Sequence, residues 1–306
     1  MVIIAVFPGQ GSQTPGFLTP WLELDSVRER LAAYSDHAQV DLIAAGTEWD
    51  ADRIRDTKVA QPLIVAASLV SYAALTAAGA RPGGVAGHSV GELAALAAAH
   101  VLSPADALRL VGIRGRAMAE AAAARQTGMS AVVGGSPDDV LERLQKANLT
   151  AANHNGGGQI VAAGALSDLA ELAADPPRGT RVIPLQVAGA FHTHYMAPAV
   201  DTLRTAAASV EASDPDLTLW TNNDGSVVTS GRAAVDLMVA QVASPVRWDL
   251  CMESFAAHEV TGIIELAPAG TLVGLAKRGL RGVPSVAVKT LDDLEAATAL
   301  LTVEGA

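Results

Sequence analysis

The stretch "VAGHSVGELAALAAAH", residues 85–100, sets Ser89 between two glycines, behind a short apolar run and ahead of a helical pattern. Gly87-His88-Ser89-Val90-Gly91 fits G-x-S-x-G, and its context is a strand that turns sharply into a helix. Such an elbow lifts the serine hydroxyl clear of the sheet. Glycine is needed on both sides because a Cβ there would strike the neighbouring strand or helix. The start of the helix also leaves N–H groups unpaired, aimed where a negative oxygen could form. The pattern alone is weak, and the alternative is a Gly-rich turn with Ser89 as an ordinary N-cap. If Ser89 is a nucleophile, Val90 N–H is one oxyanion donor by position. The turn "PGQGSQ", residues 8–13, is the candidate source of the second, at Gln10.

Outward from the elbow, strand-like runs alternate with helical ones. "VIIAVF" precedes a helical stretch near 25–45. "AQPLIVAASLVSYAALTAAG" reads as a long helix with Gly79 at its end. "SPADALRLVGIRGRAMAEAAAA" opens with Ser103 at N-cap, Pro104 at N1 and Asp106 at N3. This alternation predicts a parallel sheet covered by helices. Over residues 127–191 the pattern shifts to strand, helix, two strands across Gly156–Gly158, helix, strand. That order, β-α-β-β-α-β, is the ferredoxin-like arrangement, here inserted in a larger fold. The larger unit is then 1–126 with 192–306. Later, "VRWDLCMESFAAHEV" reads as helix and "TGIIELAP" as strand.

With 306 residues, half of them hydrophobic and 17% charged, the chain can bury a large core and leaves little material for disordered tails. A net charge of −11 argues against nucleic acid as a partner. The single Cys251 excludes a disulfide framework and reads as a buried small hydrophobe. The N-terminal apolar run reads as a strand, not a signal peptide. No apolar stretch reaches the length of a membrane helix without Gly, Pro or charge interrupting it. The expectation is a cytoplasmic protein that needs no membrane.

Seven histidines compete as the base for Ser89. His37 and His258 lie in ordinary helical patterns, His100 ends the elbow helix, and His154 belongs to the insert. His88 adjoins Ser89, but neighbours at a sharp turn point apart. His192 and His194, in "GAFHTHYM", lie where the chain returns from the insert, and domain junctions favour clefts. Position alone leaves the choice between them open.

The segments "FPGQGSQ", "VAQPLIVAAS", "AGHSVGE", "LVGIRGRAM", "GMSAVVGG", "NHNGGGQIVAAG", "VAGAFHTHYM", "SPVRW" and "ELAPAGTL" occur in one order almost from end to end. In this the chain resembles the malonyl-CoA:acyl-carrier-protein transacylases, and their actinobacterial members most. The resemblance implies an α/β-hydrolase-like large domain with a parallel sheet and an inserted ferredoxin-like small domain. It decides for His192 as the base, with the Gln241 carbonyl in place of an acid behind it. It assigns Arg114 to the substrate carboxylate; otherwise Arg114 would read as a solvated helix arginine, and Arg116, on another face, is its control. Asn153 and Asn155 match a pattern that lines the cleft. Phe191 goes with malonyl over methylmalonyl groups. Glu92 is read as favouring the helix start by charge. Malonyl-CoA and an acyl carrier protein are the implied partners, with no metal or cofactor, and the chain is expected to act as a monomer. Carrier proteins of this kind are acidic, so docking on an acidic enzyme calls for a local basic patch. Lys277, Arg278 and Arg281 form the densest late cluster, though a solvated helix end explains them equally well. A trans-acting acyltransferase of a polyketide synthase and a serine thioesterase or esterase are the rival readings.

Overall fold

The structure is a computed structural model and describes residues 2–302. The apolar opening run forms β1 (Val2–Phe7), buried from Ile3 onward. Helices α1 (Asp25–Ala38), α2 (Leu42–Thr47), α3 (Ala51–Arg55) and α4 (Thr57–Thr76) follow. Then come β2 (Gly84–Gly87), α5 (Gly91–Ala98) and α6 (Pro104–Ala123). The stretch expected to be inserted contains β3 (Thr127–Gly134), α7 (Pro137–Lys146), β4 (Thr150–Gly156), β5 (Gln159–Ala165), α8 (Leu166–Ala174) and β6 (Thr180–Pro184). The chain continues through α9 (Ala197–Ala207), β7 (Thr218–Trp220), α10 (Gly231–Gln241), β8 (Val246–Arg247) and α11 (Trp248–Ala257). It closes with β9 (Val260–Glu265), α12 (Thr271–Gly279), β10 (Ser285–Ala287) and α13 (Leu294–Thr302).

Two sheets result. The first has the order β10-β9-β1-β2-β7, parallel throughout. The second has the order β6-β3-β5-β4-β8, in which the first four strands are antiparallel to their neighbours. The fold is therefore α/β, with a parallel-sheet large domain and a ferredoxin-like small one. β8 was not expected. Val246 and Arg247 leave the predicted helix and pair parallel with Asn153 and His154, so a strand from outside the insert extends its sheet. The helix begins only at Trp248.

Local chemistry explains most element ends. Ser103 caps α6 by accepting from Asp106 N–H at 3.0 Å, and Pro104 takes the first turn. Ser136 stands at the start of α7 without such a bond. The helix expected near 25–45 is two helices: Gln39 adopts φ 59° after α1, and Asp41 caps α2 through Ala44 N–H. α4 stops at Thr76, and Gly79, at φ 87°, turns the chain beyond it.

By length and composition α4 is apolar enough to cross a membrane, Pro62 notwithstanding; yet 78% of its most apolar window is buried inside the protein. It is the central core helix, packed against α6, where Gly115 lets the backbones of the two helices approach closely. The carboxyl ends of the parallel strands β1, β2 and β7 lead into the loops carrying Gln10, Ser89 and Asn222. Open α/β sheets place ligands at this edge.

Candidate active site

Ser89 sits two residues beyond β2 with φ 53°, a left-handed conformation that the turn imposes on a residue with a side chain. A Cβ on Gly87 would collide with the Gly91 backbone, and one on Gly91 with the carbonyl of Phe7. The two glycines thus let the helix start press against β1 and β2.

The Ser89 Oγ lies 2.7 Å from His192 Nε2. His192 Nδ1 lies 2.8 Å from the Gln241 carbonyl. A carbonyl oxygen only accepts, so Nδ1 carries the proton and Nε2 offers its lone pair to the serine hydroxyl. Burial, then the nearby Arg114, lowers His192 to about 3, which keeps the imidazole neutral at neutral pH. His194 is exposed and stacks on Tyr195. The ring of His88 turns away from Ser89 to Asn155 Oδ1 at 2.8 Å and meets Trp248 edge-on.

Arg114 is 1% exposed. Its Nη2 is 3.5 Å from Ser89 Oγ and 3.0 Å from Gln241 Oε1, and its Nη1 donates to Gln61 Oε1 at 2.7 Å. Its Nε–H is buried without an acceptor. Burial lowers Arg114 to about 10, with Glu92 opposing, and it stays charged at neutral pH. Arg116 faces elsewhere and donates to Ala38 O. A fixed, dry cation with an unmet donor, beside a hydroxyl held by a neutral imidazole, can receive an acyl group that carries its own carboxylate.

The other expected residues divide. Among the described residues no acceptor engages the N–H of Val90 or of Gln10. The Gln10 side chain donates to Arg55 O at 3.3 Å, and its Oε1 is buried and unpartnered. Phe191 is buried just before His192. Asn155 is committed at both ends, to His88 and Gln159, so it braces the elbow. Asn153 pairs with β8, and its Oδ1 is buried without a partner. Lys277, Arg278 and Arg281 are exposed; Arg278 lies against the Gly156–Gly158 turn, at the seam between the two sheets.

Three residues hold the site in ways that the sequence alone does not reveal. Gln61 holds Arg114, and its one signal is a polar side chain inside the buried run of α4. Asn222 accepts from Ser89 N–H at 2.8 Å and donates to Gly87 O at 2.7 Å. Glu92 does more than favour a helix start. It is 5% exposed and accepts from Asn222 N–H at 2.6 Å and Gln241 Nε2 at 2.5 Å.

Residues 4–298 match the acyl transferase domain family. A malonyl CoA-acyl carrier protein transacylase of Mycobacterium tuberculosis is 52% identical over 96% of this chain and 98% of its own length. The crystal structure of MCAT from the same organism superposes with a TM-score of 0.94 at 51% identity, covering 97% of this chain and 100% of that one. A malonyl-transacylase solved in complex with a type II PKS acyl-carrier protein superposes with a TM-score of 0.92 at 29% identity, covering 98% and 100%. With its motifs, two-sheet fold and these likenesses in agreement, the chain belongs to the acyl transferase family, among the malonyl CoA-acyl carrier protein transacylases.

Proposed function

We propose that this acyltransferase moves malonyl groups from malonyl-CoA to the phosphopantetheine thiol of an acyl carrier protein through an ester on Ser89. The observation that carries the reading is the meeting of Ser89 Oγ, His192 Nε2 and Arg114 Nη2 within hydrogen-bond reach. His192 takes the Ser89 proton as the oxygen attacks the thioester carbonyl. The N–H groups of Val90 and Gln10 receive the negative oxygen of the tetrahedral intermediate. The C–S bond then breaks, and the departing thiolate takes the proton back from Nε2. In the second half the carrier thiol gives its proton to Nε2 and its sulfur attacks the ester carbonyl; the Oγ–C bond then breaks, and Ser89 Oγ takes the proton back from Nε2.

Arg114 binds the distal carboxylate of malonate, which acetate lacks, so an acetyl group leaves the guanidinium unpaired. Phe191 disfavours an α-methyl. The neutral Gln241 carbonyl behind His192 suffices because a thioester is a more reactive electrophile than an amide. No cofactor is required by this scheme. Residues 1–126 and 192–306 act as the catalytic domain and 127–191 as the insert, in a cytoplasmic monomer serving fatty-acid synthesis. Lys277, Arg278 and Arg281 form the docking patch for an acidic carrier.

The likeness to a malonyl-transacylase complexed with a type II PKS acyl-carrier protein supports a second reading of the partner. Loading fatty-acid and polyketide carriers side by side separates the two. Labelled malonyl-CoA tests the reaction class: a lasting acyl-enzyme that a carrier thiol discharges is expected, whereas rapid release of free malonate would mark a thioesterase.

A further inference from the structure

In serine acyl transfer the usual third member is an acid that orients the histidine and offsets its charge. Here the acceptor that His192 Nδ1 meets at 2.8 Å is a neutral group, the Gln241 carbonyl. A carboxylate lies one layer further in. The two oxygens of Glu92 take different residues, Asn222 through its backbone N–H and Gln241 through its side-chain amide. Asn222 fixes Ser89 N–H and Gly87 O, while Gln241 Nε2 also reaches Ser89 O at 3.2 Å. Gln241 Oε1 receives Arg114 Nη2. One buried carboxylate therefore grips both residues that hold the elbow, and one of the two supplies the carbonyl that holds His192.

We propose that Glu92 is the positioning residue that takes the place of the missing acid, acting on His192 through Gln241 and on Ser89 through Asn222. The assignment rests on Ser89 and His192 acting as nucleophile and base. The chemistry of the two partners explains why an ionised carboxylate is needed. Both present N–H donors, so the group between them must accept at each oxygen. A protonated Glu92, or a glutamine there, turns one oxygen into a donor facing a donor, and one grip is lost. The negative charge also lies two hydrogen bonds from the imidazolium that forms during transfer.

Burial raises Glu92 to about 7, while Asn222 and Arg114 pull it down. Arg114 from α6 is the charged group facing it, and the Cys251 thiol from α11 its other titratable neighbour; α4, β1, β2 and α10 bring it none among the described residues. His192, at about 3, leaves the neutral range clear. As pH falls through about 7, Glu92 protonates and acylation slows.

The test is rapid-quench intact-mass measurement of Ser89 acylation by malonyl-CoA, from about pH 5.5 to 8.5. It compares wild type, Glu92→Gln, and Gln241→Met, which keeps the main-chain carbonyl. We expect an acid limb near 7 in wild type, none in Glu92→Gln, and a shallower one in Gln241→Met, which keeps the grip of Glu92 on Asn222. In both variants the alkaline rate should fall by about 10- to 100-fold, as when an orienting partner is removed. A wild type without the limb, Glu92→Gln with it, or either variant with the wild-type rate overturns the assignment. Should Glu92→Gln not fold, wild type and Gln241→Met decide. A wild type that forms no ester on Ser89 defeats the reading of the site itself, before Glu92 is at issue.

Discussion

On the proposed reading, Arg114 makes acyl selectivity a property of one side chain. A carboxylate bound through two charge-assisted hydrogen bonds gains about 1.5–3 kcal/mol from each. Arg114→Ala should therefore slow malonyl loading by roughly 100-fold or more while narrowing the gap between malonyl and acetyl groups, read by intact mass with each CoA ester. Arg116→Ala should change neither, since that side chain donates to a backbone carbonyl of α1. Phe191→Ala should raise methylmalonyl loading relative to malonyl in the same assay. Ser89 and the pair His192 and His194 were legible because motif and junction pointed at them, whereas Arg114 stood out from a solvated helix arginine only through the family resemblance. The hub that joins Gln61, Glu92 and Asn222 to the Gln241 side chain was not legible, since Gln241 was named, by resemblance, for its carbonyl alone. Its bonds join side chains up to 149 positions apart in the chain, and no local pattern records such a meeting.

At the scale of elements, the elbow depends on close backbone approach. Gly91→Ala brings a methyl group against the Phe7 carbonyl on β1, which must move. We expect a loss of about 1–3 kcal/mol, seen as a lower denaturation midpoint, with acylation falling further than stability because Ser89 shifts with the helix start. Helix starts were readable where a capping residue announced them, as at Ser103. β8 was not, because two residues are too few to show a period. Val246 and Arg247 become a strand only because β4 offers them an open edge.

Across the whole molecule, the proposed docking asks a chain of net charge −11 to receive a carrier expected to be acidic. The proposed patch lies where the end of α12 meets the Gly156–Gly158 turn, so it touches both domains. Reversing charge with Lys277→Glu and Arg278→Glu should raise the KM for carrier several-fold, more at low salt, and leave the loading of Ser89 unchanged. Equal change in both half-reactions, or in neither, would remove the patch from the account. The α/β class and the β-α-β-β-α-β insert were legible from the order of elements. The sharing of one sheet between insert and large domain required the fold.

The most direct measurement is the intact mass of the protein after brief exposure to malonyl-CoA, for wild type, Ser89→Ala and His192→Ala. Wild type should gain one malonyl group and Ser89→Ala none, with far slower addition on His192→Ala. A stable malonyl adduct on Ser89→Ala, or undiminished loading of His192→Ala, would contradict the proposed reaction.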